Sequence, residues 1–211
     1  MKKRKTFTLA AGLLTVFLLW TAALCRFDVR PIGPAGSAVG FSALNAAVHR
    51  FIGVHWGLYI LTDWLGLIPL LTALGFALLG LGQWIKRGSL QQVDRSILVL
   101  GGFYGAILAA FIFFQRVVVN YRPVLIEGVL EASYPSSTTL LTLTVMPTAL
   151  LQLKGRIKSP ALRATVTGAI CFFVLFTVAA RTLSGVHWIT DIIGGSLLSA
   201  GLVCLYCAFA E

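Results

Sequence analysis

The sequence predicts an all-α membrane protein, a six-span helical bundle with one short helix lying in the outer interface. Three observations lead there. The 211 residues are 58% hydrophobic and only 11% charged, and the mean hydropathy of +0.90 lies well outside soluble globular composition. Apolar runs long enough to cross a bilayer recur along the chain. Charge is segregated between the segments that join them.

Taken in order, the runs fall at about residues 6 to 25, 56 to 85, 96 to 119, 137 to 153, 164 to 181 and 187 to 209. The fourth is a little short, and the second is long enough to tilt or to begin with an interfacial turn. Between the first two lies the longest connection, Arg26 to His55, which opens with Pro31, Gly33, Pro34 and Gly36. Its second half, Ser42 to Ile52, has the pattern of a short amphipathic helix lying on the membrane. The remaining connections are short, so residues 1–211 are expected to form a single integral membrane domain. Late in the chain Gly194, Gly195, Ser196, Ser199, Ala200 and Gly201 recur, small residues that let helices approach closely in lipid.

Orientation follows from the basic residues. With a cytoplasmic N-terminus, the cytoplasmic segments hold Lys2, Lys3, Arg4, Lys5, Lys86, Arg87, Arg95, Lys154, Arg156, Lys158 and Arg163, and the opposite side holds Arg26, Arg30, Arg50, Arg116, Arg122 and Arg181. All the lysines fall on one side, as the positive-inside rule requires. Every outward basic residue is an arginine, the side chain suited to a bidentate grip on phosphate. The net charge of +10 therefore reflects topology and an attraction to anionic headgroups. No basic segment interleaved with aromatics points to nucleic acid. Both termini are expected in the cytoplasm of a bacterial inner membrane, and the polar clusters outside.

Lys2 to Lys5 before an apolar run ending Thr21-Ala-Ala-Leu-Cys25 has the outline of a secretory signal, but the run is long for one and Leu24 fits a lipoprotein site poorly. The four cysteines, Cys25, Cys171, Cys204 and Cys207, lie in or at the ends of apolar helices. Cys204-x-x-Cys207 has no second pair, so packing is its expected role and no metal site or cofactor is expected.

Three polar clusters share the outer side. Gln115-Arg116-Val-Val-Val-Asn120-Tyr121-Arg122-Pro123 ends the third span, and Ser133-Tyr134-Pro135-Ser136-Ser137-Thr138-Thr139 opens the fourth. The third is Arg181-Thr-Leu-Ser-Gly-Val-His187-Trp-Ile-Thr-Asp191. A helix opening with proline and hydroxyl residues offers free backbone N–H groups and a positive dipole end to an anion. If the chain is helical from His187, Asp191 is four residues on and can accept a hydrogen bond from one imidazole nitrogen, leaving the other as a poised nucleophile. Arg181, six residues earlier, converges with them only if Ser184-Gly185 is a turn. An anion cradle, guanidinium groups and an oriented histidine are the parts that phosphoryl transfer needs.

These clusters resemble the signature of the type 2 phosphatidic acid phosphatase family, membrane relatives of the vanadium haloperoxidases. That signature runs Lys-x6-Arg-Pro, Pro-Ser-Gly-His, then Ser-Arg-x5-His-x3-Asp. The third motif matches in every spacing as Arg181, His187 and Asp191, with Ala180 for the serine. The second keeps Pro135-Ser136 but has Ser137 for glycine and Thr138 for histidine. The first keeps Arg122-Pro123, with Gln115 where lysine is expected and Arg116 beside it. The motifs fall within residues 115–191, and the resemblance covers about 96 to 209.

The resemblance implies a metal-independent lipid phosphatase. His187 would attack phosphorus to form a phosphohistidine, Asp191 would orient it, and Arg122, Arg181, Arg116, Ser136, Ser137 and Thr138 would bind phosphate. The family's second-motif histidine protonates the departing oxygen, and Thr138 has no useful acidity near neutral pH. Three readings are open: a slow enzyme, a substitute acid such as His49 or His55, or a leaving group that needs no acid. The last fits a polyprenyl diphosphate. The rival reading is a lipid-phosphate-binding or transport protein that kept the cradle without turnover. The expected partners are a lipid phosphate or diphosphate and membrane lipids; oligomeric state is left open.

Overall fold

The computed structural model describes residues 2–210, which are helical except for loops and short turns. In chain order the helices are α1 (Lys2–Leu24), α2 (Ser42–Ile52), α3 (Trp56–Leu65), α4 (Leu67–Arg87), α5 (Arg95–Arg116), α6 (Ser137–Lys154), α7 (Pro160–Leu183) and α8 (Ile189–Ala210). α3 and α4 are one apolar span with a break at Gly66. Pro69 supplies the reason, since it cannot donate to the carbonyl of Leu65 and its ring crowds that turn.

Five segments among the described residues are long and apolar enough to cross a membrane: Lys3–Leu24, Trp56–Arg87, Arg95–Arg116, Pro160–Leu183 and Ile189–Ala210. Large side chains such as Leu19, Phe172 and Leu175 stand exposed on them, and the chain is an integral membrane protein. The sequence expectation of six spans differs at α6. This helix is too polar to count by composition, because Thr138, Thr139, Thr142, Thr144 and Thr148 all lie on it. They are all buried, since α6 packs against α4, α5, α7 and α8. Thr144 Oγ1 donates back to Leu140 O at 2.6 Å and Thr148 Oγ1 to Thr144 O at 2.8 Å. Gln152 Nε2 reaches Tyr206 Oη at 2.6 Å and Ser96 O at 3.1 Å. Thr144, Thr148 and Gln152 thus find partners without water, whereas the buried Thr142 Oγ1 has none.

Small residues on α8 decide how closely neighbours approach. A Cβ on Gly194 would lie 2.3 Å from the Tyr134 ring, and one on Gly201 would lie 2.7 Å from Leu14. Tyr134 is thereby wedged against α8, where its hydroxyl meets Thr21 Oγ1 at 2.6 Å. α2 occupies the span expected for it, and Asn45 ties it to the start of α8 through Thr190 Oγ1 at 3.0 Å. The loops before α2, α6 and α8 gather at one end of the bundle. Lys86, Lys154 and Lys158, at or just beyond the ends of α4 and α6, lie at the other, where Asp94 pairs with Arg87 at 3.0 Å and Arg156 at 3.9 Å.

Candidate active site

Each functional side chain reaches the loop end by a local device. α7 stops at Leu183, and Gly185 adopts φ +68°, where a Cβ would meet the Gly53 carbonyl oxygen at 1.8 Å. Only glycine fits there. The chain reverses, and His187 faces back toward Arg181. Residues 120–133 double back as a ribbon, with Arg122 N donating to Glu131 O at 3.0 Å and Ser133 N to Asn120 O at 2.9 Å. Glu127 and Gly128 turn it with positive φ, the conformation that matches strand twist in a tight hairpin. Arg122 and Ser133 are thereby delivered together, though they stand 11 positions apart in sequence.

His187 is the centre of the arrangement. Its Nε2 lies 3.3 Å from Arg122 Nη1 and 3.3 Å from Arg181 Nη2. Its Nδ1 lies 2.9 Å from Ser133 Oγ, which in turn donates to Asp191 Oδ2 at 2.5 Å. Since a serine hydroxyl has one proton and this one goes to the carboxylate, Ser133 Oγ must accept from Nδ1–H. The Nε2 lone pair therefore faces both guanidiniums, in an assignment made from the hydrogen-bond network. Burial, and then the charges of Arg122 and Arg181, hold the His187 imidazole well below its ordinary pKa. It is neutral at physiological pH.

Asp191 is fully buried and well supplied with donors. Oδ2 also accepts from Trp188 N at 3.0 Å, and Oδ1 from Asn120 Nδ2 at 3.1 Å. The expected direct bond between His187 and Asp191 is replaced by the serine bridge, because helix α8 begins only at Ile189. Nδ1 and Oδ2 are consequently 3.8 Å apart, beyond hydrogen-bond reach.

The second motif contributes through its helix end. Ser136 caps α6, its Oγ accepting from Thr139 Oγ1 at 3.0 Å, while its N–H donates to Asp191 O at 3.2 Å. Ser136 is spent on the fold. Ser137 lines a narrow cavity with Gln115, Arg122, Ser133 and His187, at an N-terminus whose first N–H groups have no intrahelical acceptor. Thr138 is buried in the same first turn and does not line that cavity. Arg116 does not line it either; it stands exposed where α5 ends, one residue past Gln115, which does line the cavity.

Two participants, Tyr59 and Thr62, escaped the sequence reading, and a third, Ser133, figured there only as the first residue of the second cluster, with no role assigned. Ser133 lies 54 residues from His187 and bears no motif signature, so a carboxylate needing donors was its only hint. Tyr59 and Thr62 come from α3. Asp63, on the same helix, lies 3.3 Å from Arg181 Nη1. Of the two other histidines, His49 lines a small cavity with Thr182, Gly185 and His187. His55 is exposed and its Nε2 lies 2.9 Å from Ile52 O.

Comparison with known proteins gives two matches. Residues 120–211 match the PAP2 superfamily. The fold is similar to the crystal structure of a transmembrane PAP2 type phosphatidylglycerolphosphate phosphatase from Bacillus subtilis, with a TM-score of 0.65 at 18% sequence identity over 95% of each chain. No curated protein sequence matches. Arg122, Arg181, His187 and Asp191 all lie within the segment 120–211 that is similar to the PAP2 superfamily, and the fold as a whole is similar to that of a PAP2 type phosphatase.

Proposed function

We propose that this protein is a membrane lipid phosphatase that hydrolyses a lipid phosphate or diphosphate through a phosphohistidine. One observation carries the reading: the His187 Nε2 lone pair is presented to two guanidiniums at 3.3 Å, with Nδ1–H already committed to Ser133. A phosphoryl group drawn between Arg122 and Arg181 meets that lone pair. Nε2 forms a bond to phosphorus, the bond from phosphorus to the leaving oxygen breaks, and its electron pair stays on that oxygen. Positive charge on the imidazole is shared through Ser133 with Asp191. Water then attacks the phosphohistidine, the N–P bond breaks, and inorganic phosphate leaves with histidine restored.

The protonation of the leaving oxygen sets the substrate. Thr138 carries no acid, and the titratable donors lining the cavity with Ser137 are Arg122, His187 and Tyr134, the last with its hydroxyl engaged by Thr21 Oγ1 at 2.6 Å. A diphosphate needs no acid, because the departing group is itself a phosphate and a weak base. We therefore read the substrate as a lipid diphosphate such as a polyprenyl diphosphate, cleaved to the monophosphate. The segregation of Lys86, Lys154 and Lys158 to the far end supports a site on the outer face of a bacterial inner membrane. Residues 1–211 act as one domain; Met1 and Glu211 lie outside the described residues.

The absent acid also favours a second reading, a lipid-phosphate-binding or transport protein without turnover. Phosphate release from phosphatidate, phosphatidylglycerophosphate and undecaprenyl diphosphate by purified protein separates the two. Release from the diphosphate supports the enzyme; binding of all three with no release supports the binder.

A further inference from the structure

Two like charges meet at His187, and their own region of the chain does not account for it. The guanidiniums of Arg122 and Arg181 both approach one atom, and Arg181 is 1% exposed. Repulsion between buried cations is costly unless something of opposite sign lies between or beneath them. Glu131 answers for Arg122, its Oε2 lying 3.0 Å from Nε. Asp63 answers in part for Arg181, but more than half of its side chain is exposed to solvent. One group touches both. The ring of Tyr59 lies 5.0 Å from Arg181 Cζ and 5.9 Å from Arg122 Cζ, within the range over which an aromatic face attracts a cation.

We propose that Tyr59 is a positioning residue for the phosphate clamp: its ring face holds both guanidiniums over His187. Thr62 and Asp63, one turn further along α3, fix the rotation of Arg181. Thr62 Oγ1 accepts from Arg181 Nη1 at 3.1 Å, while its own proton goes to the α3 backbone. With Nη1 so engaged, Nη2 is the atom left to face His187 and the phosphate. α3 lies outside the region matched to the superfamily, 120–211. The clamp is thus assembled by a part of the chain that carries none of the three motifs. A neutral ring suits this task better than a third carboxylate, which would stabilise the arginines equally well but repel the incoming anion.

The proposal rests on the phosphatase reading only for the identity of the anion. Its test uses full-length protein in detergent, with orthovanadate as the binding probe and lipid phosphate hydrolysis as a separate readout. Tyr59→Phe keeps the ring face and is expected to bind orthovanadate within about 2-fold of wild type. Tyr59→Leu keeps apolar bulk without the face, and is expected to weaken binding by about 3- to 30-fold and to raise KM more than it lowers kcat. Fluorinated phenylalanines at position 59 keep the shape while draining negative charge from the face. Binding should fall stepwise with fluorine number, a dependence that packing alone would not produce. Equal binding across the fluorinated series overturns the proposal, even where Tyr59→Leu fails to fold. Wild-type protein that binds orthovanadate but releases no phosphate from any lipid would overturn the enzymatic reading while leaving the Tyr59 comparison intact. No orthovanadate binding by wild type would overturn both.

Discussion

Ser133 Oγ lies 2.9 Å from His187 Nδ1 and spans the gap to a carboxylate that the histidine cannot reach directly. The bridge sets the tautomer. A serine in this place also lets charge on the imidazole be felt by Asp191 without an ion pair in direct contact.

Removing the hydroxyl should therefore lower the rate more than the affinity. Hydrogen bonds to charged groups contribute about 1.5 to 3 kcal/mol, so Ser133→Ala is expected to reduce kcat by about 10- to 150-fold. Orthovanadate binding should change little, because Arg122 and Arg181 are untouched. A loss confined to binding would show that Ser133 serves the clamp instead.

His187→Ala should abolish turnover and leave lipid phosphate bound, since the clamp survives without the nucleophile. Arg181→Ala should weaken both binding and turnover. Orthovanadate, which copies five-coordinate phosphorus, should inhibit wild type with no added metal, and a chelator should not reduce the activity. Phosphate release by His187→Ala at the wild-type rate would refute the phosphohistidine.

Thr138 offers a gain-of-function comparison. If the leaving group needs no acid, wild type should cleave a lipid diphosphate much faster than the monophosphate of the same lipid. Thr138→His should then raise monoester hydrolysis selectively, by up to about 10² to 10⁴, the range of general acid catalysis. Equal wild-type rates on the two substrates would point to a substitute acid. His49, which shares a cavity with His187, is the residue to remove next; His49→Gln should then lower the monoester rate.

The depressed pKa of His187 also makes stability depend on pH. The unfolded chain takes up a proton near pH 6.5, whereas the folded site, held by burial and two guanidiniums, resists it. The contribution of His187 is thus fully present above about 6.5 and is lost as pH falls below that value. Ligand-free wild type should lose thermal stability between pH 7.5 and 5, measured by intrinsic fluorescence in detergent. His187→Asn should lose less over the same interval; an equal loss would assign the effect to other groups.

Much of this molecule is legible along the chain. Apolar run lengths locate the helices because a bilayer rewards uninterrupted hydrophobic segments and forbids unsatisfied backbone within them. The break between Arg181 and His187 is legible because Gly185 is the residue that permits a left-handed turn there. Register within one short segment likewise sets Arg181, His187 and Asp191 close together.

What tertiary structure alone decided is everything that depends on faces meeting. Hydropathy ranked α6 with the spans, yet its threonines are accommodated because four helices enclose it, a circumstance invisible in its own composition. Gln115 rather than Arg116 lines the cavity because the rotation of α5 selects one neighbour over the other. Ser133 reaches His187 because a ribbon doubles back, and Tyr59 reaches both arginines because α3 packs on α7. Side-chain chemistry is written in the sequence, but a partner 54 or 119 residues away is chosen by packing, and packing is a property of the assembled bundle.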